Sequence, residues 1–246
     1  MVRQAHVLEF YKRNAQRYAE VSHLFRQSVY IDSSHDALRS DSDLLDRLME
    51  LAPGRRGLDA GCGAGARDTY MLHREGFDMY GIDAVPENLA VAVERHPEVA
   101  ERLTLADLQE PLPFPDDYFD FVMCNGVIQH IPPQATMDVT LREFIRILRP
   151  NGVLQLMFKN GHGVDTLFDA DYGEERAFQL YDESEVLEML CRKDCTLVEA
   201  DSGDDLGGVM YFTDPKHSSH CVFYVRKNAS PSAPVYRNGN GATPHS

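Results

Sequence analysis

The chain has 246 residues and a mass of 27.8 kDa, room for one sizeable α/β domain. Its 24 basic and 39 acidic residues leave a formal net charge of −15, with a pI near 5.0, and 43% of the residues are apolar. This balance suits a globular protein; it disfavours broad nucleic-acid binding or an anionic membrane surface, both of which need an excess of Lys and Arg.

His6, Val7, Phe10, Tyr11, Asn14, Tyr18 and Val21 recur at helical spacing, which predicts an amphipathic helix near the start. The opening Met-Val-Arg-Gln-Ala-His leads into that charged helix rather than into a cleavable signal. A second helix is predicted at 41–51, capped by Asp41 and Ser42, striped by Leu44, Leu45, Leu48 and Leu51, and ended by Pro53-Gly54. From residue 56 strands and helices alternate. Strand one is 57–60, followed by a glycine-rich turn and a helix to about 74; strand two is 77–82, and Pro86 opens the next helix. Strand three is 103–106 and strand four 119–124. A helix at 134–148 carries Met137, Leu141, Phe144, Ile145 and Leu148 on one face, before strand five at 153–158. Helix 183–192, strand 195–200 and strand 221–226 complete the pattern. Such alternation means βαβ units and a mostly parallel sheet, whose ligands bind at the carboxyl ends of the strands. The last two strands lack an intervening helix and should pair antiparallel.

No apolar run reaches the roughly 18 residues of a membrane helix. The five cysteines, Cys62, Cys124, Cys191, Cys195 and Cys221, are scattered and odd in number, which reads as thiols of a reducing cytoplasm. Cys191 and Cys195 have helical spacing but no second Cys/His pair beside them, so no metal site is expected.

The motif that carries chemistry is Asp59-Ala60-Gly61-Cys62-Gly63-Ala64-Gly65-Ala66, between a strand and a helix. Its glycines permit positive φ and close approach of a ligand to the backbone. Gly61-x-Gly63-x-x-Ala66 formally fits a dinucleotide fingerprint, with Asp83 the following acid. Asp59 argues against a pyrophosphate there, because a carboxylate aimed into that turn repels phosphate and attracts an ammonium. S-adenosylmethionine carries an ammonium, a sulfonium and no phosphate. Asp83 ends strand two, where a carboxylate either accepts from both ribose hydroxyls or caps the helix at Pro86. Asp107 follows strand three and either accepts from an adenine amine, with the Leu108 N–H facing a ring nitrogen, or serves a turn. Asp59, Asp83 and Asp107 stand 24 residues apart, one per βα unit.

The glycine motif, Gly81-Ile82-Asp83 and Ala106-Asp107 resemble the class I S-adenosylmethionine-dependent methyltransferases. Pro111 to Asp120 (PLPFPDDYFD) and Leu148-Arg149-Pro150-Asn151-Gly152 resemble their ubiquinone-biosynthesis-like small-molecule branch. The resemblance is close over roughly 55–160 and fades beyond. It implies a Rossmann-like seven-stranded sheet ordered 3-2-1-4-5-7-6, strand seven antiparallel, with helices on both faces and an N-terminal helical cap. It divides the chain into a cap at 1–40, the catalytic domain at 41–228 with an insertion at 160–182 acting as a lid, and a Ser/Pro/Gly-rich disordered tail at 229–246. It implies donor-binding positions at Tyr11, Tyr18, Asp59, Gly61, Gly63, Gly65, Asp83, Ala84, Asp107, Leu108, Asn125 and Gly126. Tyr11 and Tyr18 match the family's Tyr-x-x-x-Ala-x-x-Tyr pattern and are expected near the donor's carboxylate or sulfonium, unless they belong to the core.

His130 is the candidate general base, since an imidazole ordinarily titrates near working pH; packing or capping before Ile131-Pro132 is the alternative. Lys159, His162 and Tyr172 are candidate acceptor-site residues. The acidic residues of the insertion read as solvated surface charge. The expected function is methyl transfer to a small-molecule acceptor; a protein-side-chain methyltransferase, a silent donor-binding module and an NAD-type oxidoreductase remain as alternatives.

Overall fold

The computed structural model describes residues 4–25, 29–203 and 205–229. The expected disordered tail lies, apart from residue 229, outside the described residues. Helices are α1 (Gln4–Phe25), α2 (Asp41–Leu51), α3 (Arg67–Arg74), α4 (Pro86–Arg95), α5 (Pro133–Ala135), α6 (Leu141–Ile147) and α7 (Glu183–Cys191). Strands are β1 (Asp32–Ser33), β2 (Arg56–Ala60), β3 (Asp78–Asp83), β4 (Leu103–Leu105), β5 (Phe119–Asn125), β6 (Leu148–Lys159), β7 (Val164–Asp169), β8 (Glu174–Gln179), β9 (Cys195–Leu197), β10 (Met210–Thr213) and β11 (Ser219–Lys227).

The centre of the sheet is parallel, β4-β3-β2-β5-β6, and β11 pairs antiparallel with β6. This stretch follows the expected order, but the expected count of seven strands is corrected to nine. Beyond β11 the edge is divided. β9, the expected strand six, pairs with residues 225–227, while β10 pairs with 219–222 and β1 pairs with β10. The extra strands escaped the sequence reading because they are only two and four residues long, too short for alternation to register.

Side chains alternate across this sheet and are buried on both sides, as a parallel centre requires. Leu58, Ala60, Val122, Cys124, Leu154, Leu156 and Phe158 pack with Leu141, Phe144 and Ile147 of α6 and Val186 and Leu190 of α7. Met79, Phe121, Met123, Val153, Val222 and Tyr224 pack on the opposite face, with Leu44, Leu45 and Leu48 of α2 and Leu72 of α3. Helix α1 lies on α4 through Ala15 and Ala19, against Ala64 and Val91.

Local differences have local causes. Helix α2 spans the expected 41–51, but its N-cap is Ser40 rather than Asp41 or Ser42, and the Asp43 carboxylate accepts from the Ser40 N–H at 2.8 Å. The expected helix at 134–148 contains a π-helical stretch, Thr136–Thr140. Its two threonines are tied elsewhere, Thr136 to the Tyr181 hydroxyl at 2.7 Å and Thr140 to the Leu108 carbonyl at 2.8 Å. The insertion at 160–182 is a β7–β8 hairpin with a six-residue register.

Candidate functional site

The glycine turn leaves β2 with Gly61 at φ 94° and Gly63 at φ 65°, and α3 begins after Ala66 at φ 38°. A Cβ on Gly61 would lie 2.5 Å from Val127, and one on Gly63 would lie 2.7 Å from the Tyr18 ring, so conformation and space both demand glycine. Gly65 has no positive φ; it is small because Ser22 of α1 crosses it.

Two cavities open on this turn. The smaller, about 100 Å³, is lined by Gly61, Gly63, Asp83, Ala84, Val85, Asp107, Leu108, Val127 and Ile131, among others. The larger, about 490 Å³, extends from Asp59 and Gly61 to the β10–β11 turn. Tyr11, Tyr18, Gly61, Asn125, Gly126 and His130 line both.

Asp83 and Asp107 thus share the smaller cavity. Its described lining contains no Lys or Arg, which suits hydroxyls and an amine and leaves a pyrophosphate without a counter-charge. Asp83 also serves the turn: it accepts from the Gly63 N–H at 3.0 Å, the Val85 N–H at 2.8 Å and the Asn88 amide at 3.1 Å. Asp83 does not cap α4, whose N-cap is Val85 without a side-chain cap bond; its three protein donors leave about one of its four acceptor positions open to the cavity. Burial raises its pKa above the ordinary carboxylate value.

Asp59 faces the larger cavity instead. It accepts from the Thr69 hydroxyl at 2.9 Å. Burial, and then the neighbouring Asp68 carboxylate, pushes it up to about 7. Asn125 ends β5 with its side-chain oxygen accepting from Gln155 at 2.9 Å, and Gly126 follows at φ 71°.

Over both cavities α1 brings Tyr11 edge-on to Tyr18, with ring centroids 5.3 Å apart. The Tyr11 hydroxyl accepts from Arg176 at 2.7 Å and lies 2.9 Å from His130 Nε2. Arginine can only donate, which leaves the tyrosine proton available to Nε2; the other ring nitrogen, Nδ1, is a buried atom with no partner among the described residues. Burial, with the Arg176 and Lys159 charges behind it, holds His130 down to about 3. That value lies far below the near-neutral range from which His130 was expected to act as a base.

Of the expected acceptor residues, Lys159 and Tyr172 line the larger cavity and His162 lines neither. His162 is exposed and sits 3.3 Å from Asp182. The acidic insertion is also not simply solvated surface. The Asp169 side chain is 2% exposed and binds Arg176 at 3.0 Å and Lys216 at 2.6 Å. Arg176 in turn lies over the Phe10 ring at 4.2 Å and the Phe178 ring at 4.9 Å. Arg176, Asp214, Lys216 and His220 are site residues that sequence reasoning missed. For His220 a signal existed: alternation in the last strand places it on the face of Val222 and Tyr224.

Comparison with known proteins agrees with this geometry. Residues 58–156 match the family model of a methyltransferase domain. The chain is 28% identical over 149 residues to phosphoethanolamine N-methyltransferase 2 of Caenorhabditis elegans, covering 59% of this chain and 33% of that protein. It is 33% identical over 108 residues to 2-methyl-6-phytyl-1,4-hydroquinone methyltransferase of Synechocystis sp., covering 44% and 33%. The chain therefore spans about a third of the length of these curated relatives. Its fold is similar to 1,6-didemethyltoxoflavin-N1-methyltransferase of Burkholderia thailandensis, solved with S-adenosylhomocysteine bound: TM-score 0.62, 21% identity, 92% of this chain and 88% of that one. Residues 58–156, which carry the glycine turn and the strand-end carboxylates, are thus matched by a methyltransferase-domain model, and the fold around them is that of a solved methyltransferase.

Proposed function

We propose that the protein transfers a methyl group from S-adenosylmethionine to a small-molecule acceptor held in the larger cavity. The observation that carries this reading is the junction of the two cavities. A pocket that holds Asp83 and Asp107 and no cation among its described lining meets a chamber of about 490 Å³ at Gly61, Asn125, Gly126, Tyr11, Tyr18 and His130. A chamber lined by α1 on one side and the β7–β8 hairpin on another suits a small acceptor better than a protein side chain.

When bound, S-adenosylmethionine supplies an electrophilic methyl group on a sulfonium. Asp83 accepts from the ribose, and Asp107 with the Leu108 N–H reads the adenine edge. The Gly61–Gly65 turn, Asp59 and Asn125 hold the amino-acid end. Tyr11 and Tyr18 present π faces to positive charge and exclude water. His130 remains neutral at working pH and fixes Tyr11 through Nε2. Much of the catalysis in such a displacement is positioning and desolvation, which this arrangement provides without a strong base.

Calorimetric titration tests the donor half. S-adenosylmethionine and S-adenosylhomocysteine should bind and NAD should not; NAD binding without the other two would sink the reading. A metabolite panel screened for labelled-methyl uptake tests the acceptor half, and uptake only into proteins would reassign the substrate class.

A further inference from the structure

Three residues that line the larger cavity each carry a buried polar atom with no partner among the described residues: His130 Nδ1, the Tyr172 hydroxyl and His220 Nδ1. Buried polar atoms are nearly always satisfied, so a cavity that collects several marks where a ligand supplies the missing partners. A fourth group joins them. Lys159 is 4% exposed, its ammonium lies 4.7 Å from the Phe178 ring centroid, and no carboxylate ion-pairs with it among the described residues.

Lys159 and His220 stand directly opposite each other in the β6–β11 pairing, so their side chains share one face of the sheet and line one patch of cavity wall. The His220 ring is fixed on both sides. Its face stacks on Phe212, with centroids 5.0 Å apart and planes 9° apart, and Phe212 stacks on Tyr30. Its Nε2 lies 3.0 Å from Asp214. Asp214 is held as a carboxylate by the backbone N–H groups of Lys216 and Ser218, both at 2.9 Å. A carboxylate can only accept, so the imidazole proton sits on Nε2 and Nδ1 keeps a bare lone pair, on the residue paired across the strands with Lys159.

That combination selects a ligand group. The lone pair needs a donor and the ammonium needs an acceptor. A carboxylate would satisfy Lys159 but set its oxygen against the His220 lone pair. An ammonium would satisfy His220 but confront Lys159. A hydroxyl answers both. We infer that Lys159, His220 and Asp214 form a recognition subsite for a hydroxyl group on the acceptor, phenol or alcohol, which donates to His220 Nδ1 and accepts from Lys159.

The inference rests on the methyltransferase reading and deepens it. Asn125 ends β5, Lys159 ends β6 and His220 lies on β11, so the subsite lies one to two strand spacings from the strand of Asn125, roughly 5–10 Å. The hydroxyl is therefore a handle at the far end of the acceptor, and Lys159 and His220 are specificity residues rather than catalytic ones.

Phenol and anisole test this directly, because they share a shape and differ by one O–H. Binding of each is measured by calorimetry or ligand-detected NMR on the full chain, with and without saturating S-adenosylhomocysteine; benzoate and benzylamine complete the set. Phenol should bind about tenfold more tightly than anisole, benzoate or benzylamine. Lys159→Met and His220→Phe, the second keeping a ring on Phe212, should each lower phenol to the anisole level while S-adenosylhomocysteine affinity holds. Equal binding of phenol and anisole by the wild type overturns the subsite, and that arm needs no variant to fold. So does tighter binding of benzoate or benzylamine, or a phenol preference that survives both substitutions. Failure of S-adenosylhomocysteine to bind the wild type defeats the methyltransferase reading, and the subsite with it. Its binding without a phenol preference defeats the subsite alone.

Discussion

Asp59 illustrates how much a single side chain owes to its surroundings. A carboxylate that ordinarily titrates near 3.8 is pushed up to about 7 by burial and by Asp68. Between those two values the folded protein holds a proton that the unfolded chain has released, so the contribution of Asp59 to stability falls as pH rises through that window. Asp59→Asn should raise the stability of the ligand-free protein at about pH 8 by on the order of 2 kcal/mol and give little advantage near pH 4; thermal melts across pH check this. Asp83 demands a gentler substitution than Ala, because removing it would strand the buried N–H groups of Gly63 and Val85. Asp83→Asn keeps an acceptor for one side of the turn, Gly63 or Val85, and should weaken S-adenosylhomocysteine by about a hundredfold through loss of charge-assisted bonding to the ribose; undiminished affinity in calorimetry would remove Asp83 from the ribose site. His130, held down to about 3, should contribute no inflection to a pH–rate profile between about pH 5 and 8. A histidine step in that range that vanishes in His130→Asn would show the imidazole to be exposed during turnover. None of these environments is written in the motif, which names residue types but not the burial that tunes them.

Among the elements, the β7–β8 hairpin departs furthest from the sequence reading. A tract rich in Asp and Glu looked like solvated surface, yet its centre is the buried Arg176–Asp169–Lys216 cluster, joined to α1 through the Tyr11 hydroxyl. The exposed pair Arg13–Glu174, by contrast, contributes little. Arg176→Met should destabilise the protein by about 3 kcal/mol, since it unpairs a buried carboxylate on one side. Faster amide exchange in 164–179 and in α1 together would show that the cluster couples them; acceleration in the hairpin alone would not. Elements with strong periodicity or hard stops were legible: α2 between its acidic start and Pro53-Gly54, α4 from Pro86, and β2 to β6 with their apolar cores. β10, β1 and the hairpin were not, because their pairing is decided by neighbours far along the chain. His220 meets Lys159 across 61 positions, and no local pattern records that.

At the scale of the whole molecule, the donor half was readable and the acceptor half was not, for a physical reason. The proposed donor site draws on three consecutive βα units, so its carboxylates keep a regular spacing in the sequence. The acceptor chamber is assembled from α1, β5, β6, the hairpin and the β10–β11 turn, and its character comes from charges that cancel or fail to cancel after folding. The sheet that supports both halves terminates in β4, three residues long, on one side and β1, two residues long, on the other. Margins so brief offer few unpaired backbone groups to a neighbouring chain. The protein should accordingly resist seeding into fibrils at concentrations where a sheet with a long open border would recruit its own copies.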